Sequence, residues 1–147
     1  MAIPNSGLKI LLVDDGEDDV LMAKKVFAEL GFKHSLSTVM DASEAMDYLA
    51  CKGKYSGRKP EAPDLVLLDI NLPLVDGFSL LKSLKADAKF RQIPVVMLTT
   101  SSSSADISHS YACGAASYIT KPATFGEFKT VMGQFSLYWM SVSALPQ

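Results

Sequence analysis

Five groups capable of chemistry each close a short apolar run. Lys9-Ile10-Leu11-Leu12-Val13 leads into Asp14 and Asp15. Leu65-Val66-Leu67-Leu68 leads into Asp69, Val95-Val96-Met97-Leu98 into Thr99, and Tyr118-Ile119-Thr120 into Lys121. Three carboxylates gathered at one place repel and raise one another's pKa unless a cation joins them. A hard divalent ion suits such an oxygen set, and magnesium keeps several waters and often shares its site with a phosphate. Asp14 and Asp15 fit that role. A carboxylate on a tight strand end is also a nucleophile able to form an aspartyl-phosphate. The phosphoryl oxygens then need neutralising, and Lys121 offers a compact cation and Thr99 a hydroxyl.

Each residue alone has a plainer reading. A strand-final Asp often caps a helix, a Thr in a strand usually packs, and a Lys-Pro pair means little. Their common position gives them weight. Each sits at the end of an expected strand, and the uninterrupted run Leu65–Leu68 before Asp69 is the mark of one buried on both faces. In open α/β sheets the carboxyl edge is where ligands collect.

The elements between these runs are helical. Val20, Leu21, Ala23, Lys24, Phe27 and Leu30 space one helical face, which Gly31 stops. The acidic residues Glu17 to Asp19 before it are read as simple capping of that helix. Ser35–Val39 is a second strand, and Asp41-Ala42-Ser43-Glu44 resembles a capping box opening the next helix. Phe78, Leu80, Leu81 and Leu84 mark a third helix. Ser103 with Asp106 caps a fourth, and Thr124 with Glu127 opens a last one carrying Phe128, Met132, Phe135 and Trp139. The strands expected are 9–13, 35–39, 65–69, 95–99 and 117–120. Strands alternating with helices predict a doubly wound α/β fold, a flavodoxin-like (βα)5 with a five-stranded parallel sheet in order 2-1-3-4-5. Its switch point lies between strands 1 and 3, where Asp14, Asp15 and Asp69 meet. Residues 1–7 read as a flexible lead-in, 51–63 as a long solvated insertion or partner contact, and 141–147 as a tail.

Bulk composition agrees. The 147 residues are 48% hydrophobic and 20% charged, a globular composition suited to one domain. A net charge of -2 argues against nucleic acid or an anionic membrane as the main partner. No run approaches the roughly 20 apolar residues that span a bilayer. Cys51 and Cys113 read as reduced thiols, and with no targeting segment the expected location is cytoplasmic.

On these residues the chain resembles the receiver domain of two-component response regulators. The carrying segments are Val13-Asp14-Asp15, Leu67-Leu68-Asp69-Ile70-Asn71-Leu72-Pro73 with Asp76-Gly77, Pro94-Val95-Val96-Met97-Leu98-Thr99, and Gly114-Ala115 through Tyr118 to Lys121-Pro122. The resemblance covers about residues 8–138. It implies Asp69 as phosphoacceptor, self-catalysed phosphotransfer and dephosphorylation rather than multiple-turnover enzymology, and Thr99 and Lys121 as phosphoryl contacts. It implies magnesium (or manganese) held directly by Asp15, Asp69 and the Asn71 carbonyl, with Asp14 acting through water. It also implies a cis peptide before Pro122. The family's switch moves the hydroxyl matching Thr99 toward the phosphate and turns the aromatic matching Tyr118 inward, altering the surface of the fourth helix, last strand and last helix. Gly16, where a polar residue is common, and Thr100, where Ala is common, depart from the pattern.

The loop 51–63, the segment Leu98-Thr99-Thr100-Ser101, and Tyr138-Trp139 with Leu145-Pro146 further resemble the single-domain regulators paired with bacterial phytochromes. The implied partner is a histidine kinase of the phytochrome type. With no residues left for an output domain, the phosphorylated surface itself is the expected output. The apolar surplus of the last helix, including Leu137, Tyr138 and Trp139, predicts a homodimer; a tail folded back on its own domain is the competing expectation. A haloacid-dehalogenase-like phosphatase is the main alternative. It requires a second carboxylate two residues after the nucleophile, where Asn71 stands. Flavin binding fits poorly with the acidic residues after the first strand, and a partner-binding pseudo-receiver fits poorly with the complete residue set.

Overall fold

The computed structural model describes residues 7–146; all but residue 7 of the expected lead-in lies outside them. Five strands, β1 (Lys9–Val13), β2 (Ser35–Val39), β3 (Leu65–Leu68), β4 (Val95–Thr99) and β5 (Ser117–Thr120), alternate with five helices: α1 (Glu17–Glu29), α2 (Ala42–Ala50), α3 (Gly77–Ala86), α4 (Ser104–Ala112) and α5 (Phe125–Leu137). The strands form one parallel sheet in order β2-β1-β3-β4-β5. This is the topology expected from the sequence.

Alternate residues face opposite layers, so the three inner strands β1, β3 and β4 are apolar on both faces, while the edge strands β2 and β5 carry Ser and Thr. Leu11, Val13, Val66, Leu68, Val95 and Met97 pack with Ala45 and Leu49 of α2 and Leu80, Leu81 and Leu84 of α3. Ile10, Leu12, Leu65, Leu67, Val96 and Leu98 pack with Val26 and Phe27 of α1 and Phe128, Met132 and Phe135 of α5. Removing one of these buried leucines as Leu→Ala costs roughly 2–5 kcal/mol. The register Val13↔Leu68 and Leu68↔Met97 brings the ends of β1, β3 and β4 level.

The caps form as expected. Asp41 Oδ1 accepts from Glu44 N (2.7 Å), Ser103 Oγ from Asp106 N (3.1 Å) and Thr124 Oγ1 from Glu127 N (3.2 Å). Several boundaries and roles differ from expectation. β3 ends at Leu68, because Asp69 turns out of the ladder after donating its N–H to Val13 O (3.1 Å). Leu21, placed on the apolar face of α1, is 59% exposed; Ala23, Val26 and Phe27 make that face. The 51–63 loop is mostly exposed, with Arg58 and Tyr55 tying it to α2. Its Gly53–Tyr55 segment is a 3-10 turn. Arg58 stacks over the Tyr48 ring at 4.0 Å and donates twice to Tyr48 O, while Tyr55 OH donates to Glu44.

After α5 a π-helical turn (Tyr138–Val142) returns the chain to the sheet. Trp139 is buried and Leu145 packs against the same layer. Part of the apolar surplus is therefore absorbed within the domain, leaving Leu137, Tyr138 and Val142 exposed.

His34 ties the start of β2 to β1 and α5. Its Nδ1 accepts from Leu8 N (2.9 Å), so Nε2 carries the proton and donates to Ser136 Oγ (3.0 Å), which donates to Met132 O. Burial pushes the imidazole below its ordinary value of 6.5. A proton on Nδ1 would face the Leu8 N–H. The unfolded chain therefore binds a proton first as pH falls, and stability declines. Urea midpoints are expected to fall between pH 7 and 5.5, and His34→Gln is expected to flatten that decline. A wild-type midpoint constant over this range would contradict the assignment.

Candidate functional site

The strand ends converge as the sequence requires. β1 delivers Asp14, 2% exposed; β3 delivers Asp69, 8% exposed; β4 ends in fully buried Thr99; β5 leads into Lys121. Lys121 N donates to Thr99 O (2.7 Å), which fixes the lysine's root beside β4. Its Nζ then reaches Asp14 Oδ2 (2.7 Å), Asp19 Oδ2 (3.0 Å) and Asp69 Oδ2 (3.2 Å). The peptide before Pro122, expected cis, is the ordinary trans form; no described peptide bond is cis.

Burial opposes charge on both sides of this contact. It would push the Lys121 ammonium down, but the Asp14 hydrogen bond and charge, with those of Asp69 and Asp19, hold it well above the usual lysine value. Burial pushes the Asp14 carboxyl up, against the lowering effect of Lys121 and of the Gly16 N–H at 2.8 Å. One cation among three carboxylates leaves the site negative.

The carboxylates brought together are Asp14, Asp19 and Asp69, with ligand oxygens all within 4.8 Å of one another. Hard oxygen donors in that number suit a divalent ion. Asp15 is exposed and stands outside the group. Asp19, read from sequence as a helix cap, joins the cluster instead, a contact that reading missed. α1 has no side-chain cap at its start, and Asp19, in its first turn, points to Lys121. Gly16 finds its reason here. A Cβ on it would lie 3.1 Å from Asp19 Oδ2 and 3.3 Å from Asp14 Oδ1, so a side chain there requires these carboxylates to shift by a few tenths of an ångström. On the other flank a Cβ on Gly77 would lie 2.1 Å from Asp69 O. That glycine lets α3 press directly on the Asp69 backbone.

Asn71 is exposed and its N–H approaches Asp69 Oδ1 (3.4 Å). Thr99 Oγ1 accepts a long bond from Ser101 N (3.5 Å). Tyr118 is half-buried, with its OH donating to Ser101 O (2.8 Å). Thr99 and Tyr118 thus share the β4–α4 loop through Ser101. Thr100 is exposed.

The sequence profile of the response regulator receiver domain matches residues 10–132. The chain belongs to the response regulator receiver domain family. Relatives span almost the whole chain. Response regulator Rcp1 of Synechocystis sp. is 36% identical over 138 residues, 93% of this chain and 92% of that protein. The manganese-bound crystal structure of a response regulator Rcp1 superposes with a TM-score of 0.84 at 31% identity, over 95% of this chain and 99% of that one. RcpA, a cyanobacterial phytochrome response regulator solved in its phosphorylated form, gives a TM-score of 0.87 at 38% identity, over 96% of this chain and 99% of that one. The "Probable methanogenesis regulatory protein FilR2" of Methanothrix harundinacea is 35% identical over 137 residues, 93% of this chain and 86% of that protein. Receiver domains are signalling modules that interact with histidine kinases and bind magnesium or manganese at an acidic cluster. No described helix is long and apolar enough to cross a membrane.

Removing Lys121 strands buried Asp14 beside Asp69. Breaking a buried ion pair from one side costs roughly 3–5 kcal/mol. Lys121→Met is expected to lose about 3 kcal/mol of unfolding free energy in EDTA at neutral pH, with much of it regained in millimolar magnesium. Chemical denaturation with and without the metal checks this. A loss unaffected by magnesium would contradict the electrostatic account.

Proposed function

We propose that this receiver domain, read as a single domain over the chain, is the phosphoacceptor of a two-component relay. Asp69 takes its phosphoryl group from a histidine kinase of the phytochrome type, and the protein works in the cytoplasm. The observation that carries the proposal is the buried Lys121 ammonium shared by Asp14, Asp19 and Asp69.

In the transfer an Asp69 carboxylate oxygen attacks phosphorus. The P–N bond to the donor imidazole breaks, and the nitrogen keeps the electron pair. Lys121 neutralises one phosphoryl oxygen, and the Thr99 hydroxyl donates to another. Asp15, Asp69 and the Asn71 carbonyl would hold magnesium or manganese, with Asp14 acting through water and Asp19 as a further candidate. The ion, when bound, supplies positive charge for the remaining oxygen. Support for it comes from the donor set here and from the manganese-bound form of Rcp1. Asn71, standing where a phosphatase of the alternative class needs a carboxylate, favours holding the phosphate over repeated turnover. As Thr99 turns to the phosphoryl group, the Tyr118 bond to Ser101 O is released. That reshapes the α4, β5 and α5 surface. Phytochrome pairing is supported by the likeness to RcpA.

Acetyl phosphate with magnesium is expected to add one phosphoryl group, read by intact-mass spectrometry and abolished in Asp69→Asn. Labelling in EDTA is expected to fall at least tenfold, since the charge-stabilising cation is lost. Asp15→Asn and Asp19→Asn in the same assay rank the two carboxylates as metal ligands. No added phosphoryl group on the wild type would sink the proposal, and many turnovers on a simple phosphate ester would favour the phosphatase.

The exposed Leu137, Tyr138 and Val142 support a homodimer through the end of α5. Sedimentation is expected to show dimer at high micromolar concentration, and a monomer there would contradict it.

A further inference from the structure

His109 and Cys113 stand one turn apart at the end of α4, a spacing that sets two side chains on one helix face. Cys113 Sγ lies 3.7 Å from His109 Nε2. A tetrahedral zinc ion, with Zn–S of about 2.3 Å and Zn–N of about 2.0–2.1 Å, separates its sulfur and nitrogen donors by about 3.6 Å. The pair therefore already stands at the bite of such an ion.

Its surroundings favour a bound cation. The His109 ring packs edge-on against Phe78 of α3, with centroids 4.4 Å apart and planes at 70°. Cys113 and Phe78 both pack against the core layer of α2 and α3. Between the donors the backbone is helical, with Cys113 N–H donating to His109 O (2.9 Å). Both donors are thus held in place before an ion arrives, which lowers the ordering cost of binding. They also occupy the last turn of α4, where the negative end of the helix dipole favours positive charge. Lys85, whose stem passes beside Gly114, spends its ammonium on Arg91 O (3.1 Å) and Ile93 O (2.7 Å). His109 is exposed and Cys113 half-buried, so the pair is open to solvent. Cys51 differs, with a carbonyl, Lys59 O, rather than an imidazole beside its Sγ (3.7 Å).

We propose that His109 and Cys113 form a second metal site, for zinc, separate from the acidic cluster. α4 leads from β4 back to the parallel strand β5, so its last turn lies at the opposite edge of the sheet from Asp69. Thiolate and imidazole select zinc over magnesium, which prefers oxygen. On binding, the Cys113 thiol gives its proton to water as the Zn–S bond forms. His109 Nε2 donates its lone pair, and Nδ1 keeps the ring proton. Among the described residues no third His, Cys, Asp or Glu joins the pair, so the remaining positions go to water. The ion staples the last turn of α4 beside α3.

The test uses the full chain, with reduced thiols, in millimolar magnesium to occupy the acidic cluster. Cobalt(II) is the probe, because its thiolate charge-transfer absorption reports sulfur ligation alone. The band is expected in wild type and in Cys51→Ser, and absent in Cys113→Ser and in Cys113→Ala, which keeps apolar packing. His109→Ala is expected to weaken cobalt binding about a hundredfold, the gain from two linked donors. Zinc is expected to displace the cobalt and to raise the thermal midpoint of wild type but not of Cys113→Ala. A wild type without the band overturns the proposal. So does a band that survives Cys113→Ala or vanishes in Cys51→Ser, an unchanged affinity in His109→Ala, or a midpoint indifferent to zinc.

Discussion

The contact on which the rest depends is the Lys121 ammonium among three carboxylates. It draws on β1, β3, β5 and the first turn of α1, so it forms only when the sheet is fully assembled. Its value is not mainly stability, since burying ions costs about as much as pairing them returns. Its value is that it holds Asp69 beside Asp14 and Asp19 without letting the repulsion open the edge. The remaining negative charge suits a divalent cation of the kind receiver domains bind.

That constraint explains features which look incidental. The inner strands β1, β3 and β4 are apolar on both faces because helices cover both, which leaves the carboxyl edge as the polar outlet of the core. Gly77 is small because the Asp69 backbone occupies the space a side chain would need, while Gly16 leaves room beside the Asp14 and Asp19 carboxylates. The Ser101 backbone bonds both the Thr99 hydroxyl and the Tyr118 hydroxyl, so one residue of the β4–α4 loop touches both side chains.

The sheet order was legible because unbroken apolar runs ending in Asp, Asp, Thr and Lys leave little choice of architecture. Asp19 was not, because an acidic residue in a helix's first turn is already accounted for by the dipole. Only the three-dimensional approach of α1 to β5 reveals it. The tie of loop 51–63 to α2 depends on Arg58 stacking on Tyr48, a contact with no periodic signature. The left-handed backbone of Leu74 (φ +68°) was likewise invisible, since Pro73-Leu74-Val75 carries no glycine to announce the turn. Trp139 was visible as surplus apolar surface, but sequence alone left its partner open between a second copy and its own domain.

The central claim is that Asp69, and no other carboxylate of the cluster, is the nucleophile. Borohydride reduction of acetyl-phosphate-treated protein, followed by peptide mapping, tests it most directly, because an aspartyl-phosphate is reduced to homoserine. The account predicts homoserine at position 69 alone, dependent on magnesium. Homoserine at 14, 15 or 19, or an unmodified 69, would contradict it.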